Sequence, residues 1–101
     1  MQDILKEIIK IRSEGGRAAL ATMLFIRGRG PQEAGAKMLV RSDGTLIGSM
    51  GGGSLESEVF AEALKVIQEG RPKVLRFKLH ASIETGFMSG GESQVFIEPI
   101  F

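Results

Sequence analysis

Apolar residues open the chain at helical spacing. Ile4, Leu5, Ile8 and Ile11 lie three or four apart and predict one face of a helix over residues 3–14. Asp3 is suited to cap its start, and Gly15-Gly16 to end it. From Ala18 to Ile26 the pattern becomes a nearly unbroken apolar run of strand length, which predicts a strand covered on both faces. Lys37–Arg41 and Thr45–Gly48 are short strand candidates. Asp43-Gly44 between them predicts a tight two-residue hairpin turn, because such a turn needs positive φ at its centre. A second helix is expected over Leu55–Glu69, where Val59, Phe60, Ala63, Leu64, Val66 and Ile67 form a broad apolar stripe. Gly70 and Pro72 close it. In Lys73–Leu79 the pattern alternates: Leu75, Phe77 and Leu79 point one way, Arg76 and Lys78 the other, as in a half-exposed strand. Ser93–Pro99, with Val95 and Ile97 in phase, is the last strand.

The element order is therefore α-β-β-β-α-β-β. It predicts an α+β fold, a single mixed β-sheet with two flanking helices, in one domain over residues 1–101. No internal repeat, linker or low-complexity tract divides the chain.

Composition narrows the chemistry. There is no cysteine and only one histidine, His80, so disulfides, thiolate catalysis and a multi-histidine metal site within this sequence are excluded. Lysine plus arginine number 13 against 12 acids, which gives no electrostatic case for nucleic acid or an anionic membrane. No apolar run reaches the roughly 20 residues that span a bilayer, and the N-terminus is unlike a signal peptide. A cytoplasmic location is expected.

Glycine is the unusual feature, with 14 among 101 residues. Many fall in three stretches, 28–35, 48–54 and 86–91. Glycine lets backbone N–H groups approach a ligand closely, and a glycine run feeding a helix start is a common way to hold an anion. Gly51-Gly52-Gly53-Ser54 has that form, although on local pattern alone tight turns in a small domain are the favoured account. It matches neither the phosphate-loop nor the dinucleotide glycine pattern. Glu56 and Glu58 favour the helix through its dipole but would repel a bare phosphate. Ser54 reads as the helix N-cap, with a ligand-facing hydroxyl as the alternative. Ser89 reads as a turn serine. Lys37 is an anion contact or a solvated strand-end lysine. Glu84 and Glu92 pair with arginines or are plain surface charge. Met23, Met38, Met50 and Met88 are expected to fill core gaps.

Three segments taken in order resemble the N-terminal domain of the XdhC/CoxI family. They are Gly35-Ala36-Lys37-Met38-Leu39-Val40 with Asp43-Gly44; Gly48-Ser49-Met50-Gly51-Gly52-Gly53-Ser54-Leu55-Glu56, running on to Glu62-Ala63-Leu64; and Ser89-Gly90-Gly91 followed by Val95-Phe96-Ile97-Glu98-Pro99-Ile100. The resemblance extends over residues 18–100. It implies an accessory protein, a chaperone or carrier and not a catalyst. Such a protein binds the molybdenum cofactor (molybdopterin) and assists its sulfuration and insertion into xanthine dehydrogenase, carbon monoxide dehydrogenase and related molybdenum hydroxylases. The residues it implies as cofactor contacts are Lys37, Gly51, Gly52, Gly53, Ser54, Glu56, Ser89, Gly90 and Gly91. Many relatives continue into a dinucleotide-fold domain; this sequence is expected to be the single domain without it.

Family members commonly carry cysteine where this sequence has Ser54 and Ser89. Serine keeps the size and a hydrogen bond but not the soft sulfur that suits molybdenum or sulfur transfer. The alternative reading is therefore a cofactor-free interaction module, docking on a molybdoenzyme or a fuller XdhC-like chain. A third, an independent phosphate- or nucleotide-binding enzyme, lacks both a phosphate-loop lysine pattern and an acid/base constellation. Self-association, as a homodimer, is expected because a small sheet with apolar edges gains by pairing with a copy of itself.

Overall fold

Alternation along β1 (Ala18–Arg27) sorts the whole molecule into layers. In the computed structural model, which describes residues 2–27, 34–79 and 91–101, Ala19, Ala21 and Met23 point to one face of the sheet and Ala18 and Leu20 to the other. On the first face lies the second helix, α2 (Gly53–Glu69); on the second lies the first helix, α1 (Gln2–Ser13). The remaining strands are β2 (Lys37–Arg41), β3 (Leu46–Gly48), β4 (Lys73–Leu79) and β5 (Gly91–Ile100). The α-β-β-β-α-β-β order and the α+β class are as the sequence predicts.

The sheet runs β3-β2-β1-β5-β4. Every pairing among the described residues is antiparallel, which corrects the expected mixed sheet. The physical reason is the placement of the one helical crossover. The path β3-α2-β4 does join two strands of the same direction, but they occupy opposite edges with β2, β1 and β5 between them. No parallel pair forms.

The larger core lies under α2. Leu55, Val59, Ala63, Val66 and Ile67 pack on Met38, Val40, Met50, Val95 and Ile97 and on the β1 alanines. Three β1 alanines, Ala18, Ala19 and Ala21, are fully buried, and their small side chains let both helices approach the central strand. Gly70 ends α2 in the left-handed conformation, its N–H donating to the Val66 carbonyl at 2.8 Å, as the sequence predicts. On the other face Ile4 and Ile11 cover Ala18, Leu20 and Leu39. The Glu7 carboxylate of α1 accepts from Arg41 Nε at 2.9 Å, and this bond holds Glu7 below the usual glutamate range. Two details of α1 differ from expectation. Asp3 stands inside the first turn and not at the cap, and Leu5 is 48% exposed because the buried stripe follows Ile4, Ile8 and Ile11.

Strand β1 is covered on both faces only as far as Met23. Leu24 and Phe25 are 49% and 42% exposed, because the apolar stripe of α1 seats on the first half of the strand and the β1–β5 register shifts between Met23 and Phe25. The β2–β3 turn also differs. Gly44 N–H donates to the Arg41 carbonyl and Arg41 N–H to Thr45, so three residues lie between the paired ends, and of these Gly44 alone has positive φ. Asp43 fixes this turn by accepting from the Thr45 backbone and hydroxyl. Strand β4 alternates as read, with Val74, Arg76 and Lys78 exposed and Leu75 and Phe77 half-buried.

Candidate functional site at the start of the second helix

Arg27, Lys37, Gly48, Leu79 and Gly91, the strand-end residues from which the glycine-bearing stretches leave or return, all lie toward one end of the sheet. Of those stretches, the one from Gly48 to Gly53 is fully described. Gly48, Gly51, Gly52 and Gly53 all have φ between 68° and 98°, where a side chain is strained, so the glycines are required by the backbone path into α2. Met50, fully buried, pins the middle of the turn to the core.

The amides of this turn are turned inward on a carboxylate. Glu56 Oε1 accepts from Ser49 Oγ at 2.5 Å, from the Met50 N–H at 2.8 Å and from the Gly52 N–H at 3.1 Å. Ser49 Oγ in turn accepts the Gly51 N–H at 2.9 Å. The Ser49 hydroxyl is the main cause that draws the Glu56 carboxyl below the usual glutamate range. Partial burial opposes it, and the two backbone N–H groups add to it. The expected cap, Ser54, is corrected: Gly52 occupies the N-cap without a side-chain bond, and Ser54 is exposed inside the first turn. The local reason is that Glu56, reaching back four residues, takes the cap N–H that a reciprocal capping pair would satisfy. An anion receptor formed by these amides is thus already filled by the protein's own carboxylate.

The predicted site residues are brought together in part. Gly51, Gly52, Gly53 and Glu56 form one unit. Lys37 adjoins it through the backbone, since a Cβ added at Gly48 would stand 2.3 Å from the Lys37 carbonyl oxygen. The Lys37 ammonium, however, lies on the α1 face, where it donates to Thr22 Oγ1 at 3.1 Å. Gly91 opens β5 opposite Leu79. Its neighbour Glu92 pairs with Arg27, five residues along β1 from the Thr22 partner of Lys37, roughly 15 Å along the sheet. Glu92 accepts from Arg27 at 2.9 Å, which for Glu92 selects the arginine pairing over plain surface charge. Ser89, Gly90, His80, Glu84 and Met88 lie outside the described residues; Met23, Met38 and Met50 fill the core as read.

Beside this unit, between α2 and the β2–β3 hairpin, is an open cavity of about 290 Å³ lined by Gly44, Leu46, Glu56, Ser57 and Phe60. Of these only Glu56 was a candidate from sequence. Phe60 reads as core because its position fits the helical stripe, yet its ring is half-buried and borders the cavity. Ser49 and Ser57 carried no signal of their own. Among the described residues Glu56 Oε2 has no hydrogen-bond partner, and no group of three or more His, Asp or Glu side chains is placed to hold a metal.

Comparison with known proteins gives a consistent set of relatives. The family model described as "XdhC and CoxI family" matches residues 11–78. The chain is 34% identical over 94% of its length to an uncharacterized protein, YqeB, of Escherichia coli K12. It is 35% identical over 73% of its length to the molybdenum cofactor insertion chaperone PaoD of the same organism. A crystal structure described as a xanthine dehydrogenase from Bacillus halodurans superposes with a TM-score of 0.76 at 28% identity, over 95% of this chain. The chain spans 18% and 23% of the two curated relatives and 30% of the solved chain.

Proposed function

The chain belongs to the XdhC and CoxI family, and from that premise we propose that it binds the molybdenum cofactor, as molybdopterin, and assists its insertion into a xanthine dehydrogenase-type molybdoenzyme. The observation that carries this reading is the identity shared with a molybdenum cofactor insertion chaperone across most of this chain. The role is that of a carrier.

The residues present fit the organic part of the cofactor better than its phosphate. Glu56 takes the Met50 and Gly52 N–H groups that an outside anion would use, while the adjoining cavity offers oxygen acceptors and apolar walls. Bound, the cofactor supplies the molybdenum centre that the client enzyme uses. This chain's groups hold and orient the ring.

A second reading, a cofactor-free module that docks on a molybdoenzyme, draws on the same closure of the glycine turn and on Ser54. Calorimetric titration with molybdenum cofactor, with and without a cofactor-free molybdenum hydroxylase, separates the two. Saturable binding of cofactor supports the carrier. Capture of the hydroxylase with no saturable cofactor binding in either arm overturns it in favour of the docking module.

A further inference from the structure

Resting on the cofactor-binding reading above, we propose that the cavity between α2 and the β2–β3 hairpin seats the pterin ring itself. Glu56 Oε2 and Ser57 Oγ receive the ring's amino-amide edge, and Phe60 flanks its plane. Glu56 has two oxygens with different duties. Oε1 is loaded by three donors and fixes the carboxylate's orientation; Oε2 has no partner among the described residues, and Glu56 lines the cavity. The hydrogen bonds that lower its pKa keep the group ionised, so Oε2 is a pure acceptor. Ser57, one residue on, gives its hydroxyl proton to the Gly53 carbonyl at 3.2 Å, which leaves its oxygen lone pairs free to accept. The polar side chains of the cavity therefore present acceptors.

That character selects the ligand end. A phosphate carries acceptors and negative charge and meets, among the polar side chains here, a carboxylate and a second acceptor. The aminopyrimidinone edge of a pterin carries an exocyclic amine and a ring N–H side by side, two donors on one rigid plane, to be met by acceptors on the consecutive residues Glu56 and Ser57. The walls suit a flat ring. Phe60 and Leu46 are apolar, and Gly44 leaves the mouth open: a Cβ there would sit 3.9 Å from the tip of the Phe60 ring. At about 290 Å³ the cavity is at the small end of ligand sites, which start near roughly 300 Å³. It holds fused rings and leaves the phosphate-bearing tail outside.

The test uses the full chain, ¹⁵N-labelled, titrated with free pterin (2-amino-4-oxopteridine) and, separately, with inorganic phosphate. Pterin is expected to shift the Gly44, Leu46, Ser57 and Phe60 amides saturably, and phosphate to leave them unmoved. Glu56→Gln retains an acceptor oxygen for the turn but can place an NH₂ against the ring donors, and is expected to weaken pterin binding about tenfold or more. Phe60→Leu, which keeps an apolar residue in the stripe, is expected to weaken it several-fold by loss of the flat flank. Pterin that moves none of these amides, or binds both variants as it binds the parent, overturns the assignment. A parallel titration with intact cofactor keeps the two readings apart. Cofactor binding that both variants leave unchanged removes this cavity and spares the carrier function. Pterin shifts without any cofactor binding spare the cavity and remove the carrier.

Discussion

Glu56 Oε1 lies 3.1 Å from the backbone nitrogen of Gly52, the residue that caps the helix to which Glu56 itself belongs. One side chain thus ties its own helix start to the turn that enters it, and the same oxygen holds Met50 and Ser49. Glu56→Ala removes the shared acceptor and leaves the Met50 and Gly52 N–H groups to find water in a half-buried turn. A loss of about 1–3 kcal/mol is expected, read by urea denaturation. Glu56→Gln is expected to retain most of that stability; if both variants unfold with the parent, the turn does not depend on this group.

Gly48 and Gly15 both have positive φ, 87° and 71°, but different surroundings. A Cβ at Gly15 meets nothing within 4 Å, whereas one at Gly48 strikes the backbone of Lys37. Gly15→Ala is expected to lower stability by about 1 kcal/mol, the cost of the left-handed conformation alone. Gly48→Ala is expected to cost more than about 2 kcal/mol and to loosen β3 from β2, visible as faster amide exchange at Leu39 and Ile47. Equal losses for the two variants would contradict the close approach.

Ser93 is fully buried between its cross-strand neighbours Ile26 and Phe77, and its hydroxyl has no hydrogen-bond partner among the described residues. Ser93→Ala therefore deletes an unpaid desolvation and no bond. The expected outcome in thermal unfolding is unchanged stability or a gain of about 1 kcal/mol. A loss of that size would show that the hydroxyl is bonded in solution.

The expected homodimer has a candidate surface in the uncovered half of β1. Leu24 and Phe25 are exposed there, and Val74, 49% exposed, lies on the edge strand β4. Sedimentation is expected to show a dimer at micromolar concentration and a monomer for Phe25→Glu. A parent chain that sediments as a monomer throughout defeats the expectation.

Elements whose burial follows a short period were legible in the sequence. Ile4, Ile8 and Ile11 marked α1, the alternation of β4 was visible in Leu75 and Phe77, and Gly70 marked the end of α2. Strand order was not legible, because the β1–β5 pairing joins residues far apart in sequence and no local pattern encodes it. Nor was the split of Lys37 from the α2 face, which follows from strand phase: Lys37 alternates with Met38, and Met38 faces α2. Glu56 was legible as an acid at a helix start. Its bonds to Met50 and Gly52 were not, because they depend on four glycines adopting positive φ together. Phe60 reads as core from sequence because the helical period cannot separate the middle of a buried stripe from its rim.

The closure of the glycine turn by Glu56 is most directly tested by following the Met50 and Gly52 amide resonances as pH falls. The hydrogen bonds lower the folded-state pKa, so their stabilisation is complete above the unfolded value, near 4.5, and is lost as pH drops through the folded value. Both amides are predicted to shift together with one midpoint below 4.5. A midpoint at or above 4.5, or two amides that titrate independently, would contradict a carboxylate held between them.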